Sequence, residues 1–179
     1  MANLNRAHIE GYLAWIQYLK DQRGPVDVVG LLCYFAQFLR SPDECLAIPD
    51  HFAAFGCPLH VTELDINTPD ELVQADYMRD IMTVLYSHSA VEKITLWGFW
   101  EGCHWLPLAA MWRKDWSIKP KGQVWLDLVF KQWRTNARLK TDGRGTASLR
   151  VFLGDYEVTT TCNGKVMAQN HFARVVNKG

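Results

Sequence analysis

The chain has no C-x-x-C pair, no excess of charge of either sign and no uninterrupted apolar stretch of 18 residues, and each absence closes off a class of function. The five cysteines, Cys33, Cys45, Cys57, Cys103 and Cys162, are odd in number and lack metal-ligand spacing. That argues against a zinc site and against a fully paired disulfide framework, and leaves free buried thiols as the expectation. Lysine and arginine number 19, aspartate and glutamate 19, and the basic residues are scattered. A nucleic-acid footprint and a polybasic membrane patch both require clustering, so neither partner is expected. No basic n-region with an apolar h-region opens the chain, so the expectation is that neither export nor membrane insertion is encoded in it, and its compartment stays open. A cysteine nucleophile is a poor reading, because no Cys-His arrangement has recognisable local context.

What is present is apolar, aromatic and periodic. With 49% hydrophobic residues over 179 positions the chain can bury a full core. Residues 5–22 carry Ile9, Leu13, Ile16 and Leu19 at helical spacing, with Tyr12, Trp15 and Tyr18 widening the stripe. Gly24-Pro25 ends that helix, and residues 26–35 read as a buried strand. A helix over 43–55 follows, stopped by Gly56 and Pro58. A strand over 59–66 comes next, then a helix over 70–87 with Thr68 as its N-cap. A strand over 94–100, a long aromatic loop and a last helix near 121–133 complete an α-β-α-β-α-β-α series, which predicts an α/β fold with parallel strands.

Two carboxylates interrupt the second strand. In Leu59-His60-Val61-Thr62-Glu63-Leu64-Asp65-Ile66, Glu63 and Asp65 stand at i and i+2 and so share one face. A buried carboxylate is costly unless paired or hydrogen-bonded, so a strand ending in two of them reads as a site. The competing reading is a surface turn in which Asp65 caps the next helix. The third strand ends at Trp97, and eight tryptophans are many for this length; flat aromatic faces suit sugar rings, although most of the eight are expected to pack the core.

These residues carry a specific resemblance. Thr62-Glu63-Leu64-Asp65-Ile66 resembles the nucleophile strand of glycoside hydrolase family 10, the family of retaining endo-β-1,4-xylanases, and Trp97-Gly98 resembles its last barrel strand. The tracts Trp97-Gly98-Phe99-Trp100-Glu101-Gly102-Cys103-His104-Trp105-Leu106-Pro107 and Asp115-Trp116-Ser117-Ile118-Lys119-Pro120-Lys121-Gly122 extend the match, which covers roughly residues 6–135. The resemblance implies a TIM-type (β/α) barrel, and a complete one takes about 250 residues. The expectation is therefore a half-barrel over residues 1–136, corresponding to strands six to eight, with a small antiparallel β module over 137–179.

For function, the resemblance implies hydrolysis of β-1,4-glycosidic bonds of xylan or related β-glycans, with Glu63 as nucleophile and no cofactor or metal. Trp97 and Trp105 match the family's floor and wall tryptophans, and Tyr34, Asp65 and His104 join them as substrate-binding residues. The sequence also departs from the family. Where its sixth strand carries a glutamine and then a histidine, this chain has Leu32 and Tyr34, and Leu32 cannot bond a sugar hydroxyl. The family's acid/base glutamate sits in an Asn-Glu pair, and no Asn-Glu dipeptide occurs here. Glu101 is the nearest spare carboxylate and matches a loop residue. The alternative is a catalytically incomplete half-barrel that binds carbohydrate or persists as a remnant.

Beyond Arg138 three short alternating runs, 147–153, 156–162 and 166–169, are separated by Gly154-Asp155 and Asn163-Gly164, a strong hairpin signal. The module resembles the β appendage of some family 10 members. Three strands leave two open edges and an uncovered face, so a homo-oligomer formed through the exposed barrel edges is expected.

Overall fold

The computed structural model describes residues 6–36, 38–152 and 154–172. The chain divides into two compact units, Met1–Leu128 and Val129–Gly179. In the first, helix α1 (Arg6–Asp21), strand β1 (Val29–Phe35), helix α2 (Pro42–Ala53), strand β2 (Leu59–Ile66), helix α3 (Glu71–Ser87), strand β3 (Val91–Leu96) and helix α4 (Pro120–Asp127) follow in turn. The strands form one parallel sheet in the order β1-β2-β3. This is the alternation that the periodicity predicts.

One face of the sheet is the core. Val29, Leu31, Cys33 and Phe35 of β1 and Leu59, Val61, Leu64 and Ile66 of β2 are each at most 5% exposed. With Ile48 and Phe52 of α2 and Met78, Ile81, Met82 and Leu85 of α3 they make the apolar centre, each such side chain worth about 1.5–3 kcal/mol on burial. In β2 the buried set changes phase, from Leu59 and Val61 to Leu64 and Ile66. The cause is a bulge: Leu31 pairs with Val61 but Leu32 with Glu63, leaving Thr62 as the extra residue. The Thr62 hydroxyl donates to the Leu31 carbonyl at 3.2 Å, and Gly30 opposite makes room, since a Cβ there would lie 3.2 Å from Thr62 Cγ2. Without the bulge, Glu63 and Asp65 would continue the odd-numbered buried face. With it, they turn to the face away from α2 and α3.

Several boundaries differ from the sequence expectation. Asp70, not Thr68, caps α3: its carboxylate accepts from the backbone N–H of Leu72 at 2.8 Å and of Val73 at 3.1 Å. Thr68 is two residues too early for that geometry and instead offers its carbonyl to the Gln74 side chain. Strand β3 begins at Val91 and stops at Leu96, because Gly98 adopts φ +69° and turns the chain away after Trp97. Helix α4 starts with Pro120 and ends at Asp127, passing into a single π-helical turn at Leu128–Gln132. Helix α2 opens on a capping box in which Ser41 and Glu44 exchange side-chain and backbone bonds.

In the second unit, β4 (Tyr156–Cys162) and β5 (Lys165–Phe172) pair antiparallel across Asn163 (φ 50°) and Gly164 (φ 75°), the left-handed pair that a two-residue hairpin requires. The expected strand over 147–153 is not formed at residues 147–152, while Leu153 lies outside the described residues. A strand needs a ladder partner, and none pairs with this segment among the described residues; the Tyr156 hydroxyl donates to the Phe152 carbonyl at 2.6 Å. All five cysteines are free; Cys33, Cys45 and Cys57 are buried, whereas Cys103 and Cys162 are exposed. No helix among the described residues is long and apolar enough to cross a membrane.

Candidate active site

The bulge at Thr62 assembles the site. Register pairs Leu32 with Glu63, Tyr34 with Asp65, and Leu64 with Leu96, so alternation sets Leu32, Tyr34, Glu63, Asp65 and Trp97 on the face opposite the helices. Glu63 is half-buried, three residues before the C-terminal end of β2. Trp97 is tied to that strand, its backbone N–H donating to the Leu64 carbonyl at 2.9 Å. Its side chain is 42% exposed and that of Trp105 55%, so both aromatic faces are open to a ligand. Trp105 returns over β1 and stands edge-on to Tyr34, ring centroids 6.4 Å apart at 89°. Among the described residues no hydrogen bond joins the Tyr34 hydroxyl to Glu63.

Asp65 and His104 lie beneath this surface, their side chains 2% and 0% exposed. His104 Nε2 stands 2.7 Å from the Trp97 carbonyl, which can only accept, so Nε2 carries the proton. Nδ1 accepts from the Leu106 backbone N–H at 2.9 Å. The imidazole thus bridges the residues bracketing the two exposed tryptophans as its Nε2–H tautomer. Gly98 makes this contact possible: a Cβ there would fall 2.4 Å from His104 Cδ2. Asp65 Oδ2 lies 3.9 Å from His104 Nε2 and has no hydrogen-bond partner. The Nε2 proton is directed to the Trp97 carbonyl at 2.7 Å and not to Asp65.

Lys121 is a second buried group near Asp65, 1% exposed. Its ammonium donates to the Ile66 carbonyl at 2.9 Å and also to the Ala109 carbonyl, joining the end of β2 to the loop after β3. Burial pushes the Asp65 carboxyl above its usual range, with His104 and Lys121 opposing the shift. Burial lowers the Lys121 amine to about 8, with Asp65 opposing. Around them, Lys119 donates to the carbonyls of Pro107 at 3.0 Å and Leu108 at 3.3 Å and pairs with Glu101 at 2.7 Å. That hydrogen bond to Lys119 holds the Glu101 carboxyl below its ordinary value. Gln74 bonds the Thr68 carbonyl and, at 3.2 Å, that of Leu108.

Lys119, Lys121 and Gln74 were not foreseeable as site-supporting residues from local pattern, since lysines flanking a proline read as a solvated helix start. Among the described residues no cluster of three or more histidine, cysteine, aspartate or glutamate side chains could hold a metal ion. Chemically, the arrangement offers a half-buried carboxylate on the sheet face opposite the helices and two partly exposed tryptophans, with the end of the carboxylate's strand pinned by a buried ammonium.

The chain is similar to known proteins. The family profile described as Glycosyl hydrolase family 10 matches residues 2–126. Anti-sigma-I factor RsgI6 of Acetivibrio thermocellus is 35% identical over 156 residues, 86% of this chain and 20% of that protein. Endo-1,4-beta-xylanase 1 of Arabidopsis thaliana is 31% identical over 160 residues, 88% of this chain and 17% of that protein. The chain thus spans about a fifth of these relatives. Among solved structures, xylanase 10B from Thermotoga petrophila in complex with xylobiose superposes with a TM-score of 0.65 at 22% identity, over 72% of this chain and 43% of that one.

Proposed function

The chain belongs to glycosyl hydrolase family 10, and from that membership we propose that it acts on β-1,4-linked xylan as part of a retaining glycosidase site, with Glu63 as nucleophile. The observation that carries this reading is the half-buried Glu63 carboxylate, turned by the Thr62 bulge onto the face it shares with Trp97. Trp97 and Trp105 serve as floor and wall for the sugar ring that is attacked, and Tyr34 backs Trp105. Asp65 and His104 act from below by holding the strand end and the two tryptophans in place. The xylanase names of relatives and neighbours support xylan as the substrate class.

Retention needs a second carboxyl group about 5–5.5 Å from the first, to protonate the leaving oxygen. Within the described residues Asp65 is too deeply buried for that work, and Glu101 is held ionised by Lys119. The proposal therefore assigns the acid/base group to chain outside these elements. Those same observations favour a second reading, a half-barrel that binds xylan without turnover, and a relative at 35% identity bears the name of an anti-sigma factor instead of a hydrolase. Incubating the chain with xylan and aryl β-xylosides, and titrating it with xylo-oligosaccharides, separates the two. Hydrolysis with retention supports the first, binding without any product supports the second, and neither binding nor hydrolysis sinks both.

A further inference from the structure

A second aromatic cluster lies on the loop between β3 and α4, apart from the rings of Trp97 and Trp105. Trp100 and Trp116 stack with centroids 5.1 Å apart and planes 10° from parallel, and Phe99 leans on Trp116 at 6.3 Å. Trp100 is the inner ring. It rests against Gly102, where an added Cβ would come within 2.1 Å of its Cη2, and its Nε1 donates to the Lys114 carbonyl at 3.3 Å. Trp116 is the outer ring, 59% exposed, beside Phe99 at 53%.

The backbone under Trp116 is unusual. Trp112 and Ile118 bridge antiparallel, Arg113 N–H donates to the Ser117 carbonyl and Trp116 N–H to the Arg113 carbonyl, closing a tight hairpin. Trp116 occupies its left-handed position at φ +67°, a place that favours glycine or asparagine and strains a bulky side chain. Stacking on Trp100 occupies one side of the indole and does not call for an exposed one. Next to Trp116 in the hairpin, Asp115 accepts from the backbone N–H of Ser117 at 2.9 Å and from its hydroxyl at 2.7 Å, and Lys114 is exposed. Arg113 and Lys114 balance Asp115 and Glu101 in charge, which suits neither an anionic polymer nor a cationic one. A flat apolar face edged by hydrogen-bonding groups matches a neutral, hydroxylated ring whose C–H face stacks on the indole.

We propose that Trp116, backed by Trp100 and Phe99, is a second holding point for a β-1,4-linked polysaccharide chain, on the same loop that carries Trp105. The proposal rests on the reading above that the Glu63 site takes xylan. Its test uses Trp116→Gly, which gives the hairpin the residue its geometry favours and so spares the fold; thermal unfolding should be unchanged or shifted upward. Depletion of the full chain by insoluble β-1,4-xylan should fall about fivefold in the variant, while its affinity for xylobiose, measured by calorimetry, stays at the wild-type value. Equal retention of wild type and variant on the polymer overturns the proposal, as does a wild type that binds xylobiose but not the polymer. A wild type that binds neither refutes the xylan reading and this proposal with it.

Discussion

Replacing Lys121 with methionine perturbs the site at its least replaceable point. The ammonium is 1% exposed, donates to the carbonyls of Ile66 and Ala109, and acts electrostatically on the buried Asp65. Methionine keeps most of the apolar stem, so the loss falls on the charge and its bonds. A hydrogen bond from a charged donor contributes about 1.5–3 kcal/mol, and Lys121 donates two, to the carbonyls of Ile66 and Ala109. Two such bonds on one ammonium are less than additive, so about 3–5 kcal/mol is expected, a large share of the 5–15 kcal/mol typical of a folded domain. In urea, with a slope of about 2 kcal/mol/M, the midpoint should drop by about 1.5–2.5 M. Adding Asp65→Asn should recover at least about 1 kcal/mol, because the stranded carboxylate is then removed. A midpoint shift below about 0.5 M, or strict additivity of the two changes, would refute the claim that Lys121 acts electrostatically on Asp65 and pins the end of β2.

Other outcomes follow from the same geometry. The Lys121 amine titrates near 8 in the folded chain against about 10.4 unfolded; between those values the unfolded state binds more protons, so wild-type stability rises with pH relative to Lys121→Met, which paired urea titrations at pH 8 and 10 will measure. Gly98→Ala forces a Cβ to 2.4 Å from His104 in a left-handed backbone; a loss of about 2 kcal/mol or more is expected, with altered near-ultraviolet dichroism from Trp97 and Trp105. Asp70→Ala should cost about 1 kcal/mol by uncapping α3, read from thermal unfolding; no effect would place the cap elsewhere.

Much of this architecture was legible in the residues. The run Leu59–Ile66 is bracketed by Pro58 and a polar turn, and its bounds as a strand come directly from that pattern. Helix α1 follows from the spacing of Ile9, Leu13, Ile16 and Leu19. That Glu63 and Asp65 share a face also follows from alternation, but which face does not: Thr62 inserts one residue and reverses the sides, and a threonine in a strand carries no local sign of a bulge. The lysines at 119 and 121 are polar in sequence and buried in space because carbonyls from two separate segments, the end of β2 and residues 107–109, converge on them, a long-range arrangement that no window of residues contains. Trp97 read as a strand residue because its neighbours are β-formers, and Gly98 decides otherwise through its positive φ. The strand expected over 147–153 is not formed at residues 147–152, where no ladder pairing develops among the described residues; alternation alone does not specify a pairing.

The most direct test of the Glu63 assignment separates the nucleophile from the acid it needs. A 2-deoxy-2-fluoro-β-xylobioside with a dinitrophenolate leaving group requires no protonation to depart, so a half-site with only a nucleophile can still form the covalent intermediate. Intact-mass and peptide mapping after incubation should find one fluoroxylobiosyl group on Glu63 and none on Glu63→Ala. An adduct on another carboxylate, or a wild-type chain that binds the reagent and stays unlabelled, would contradict the account.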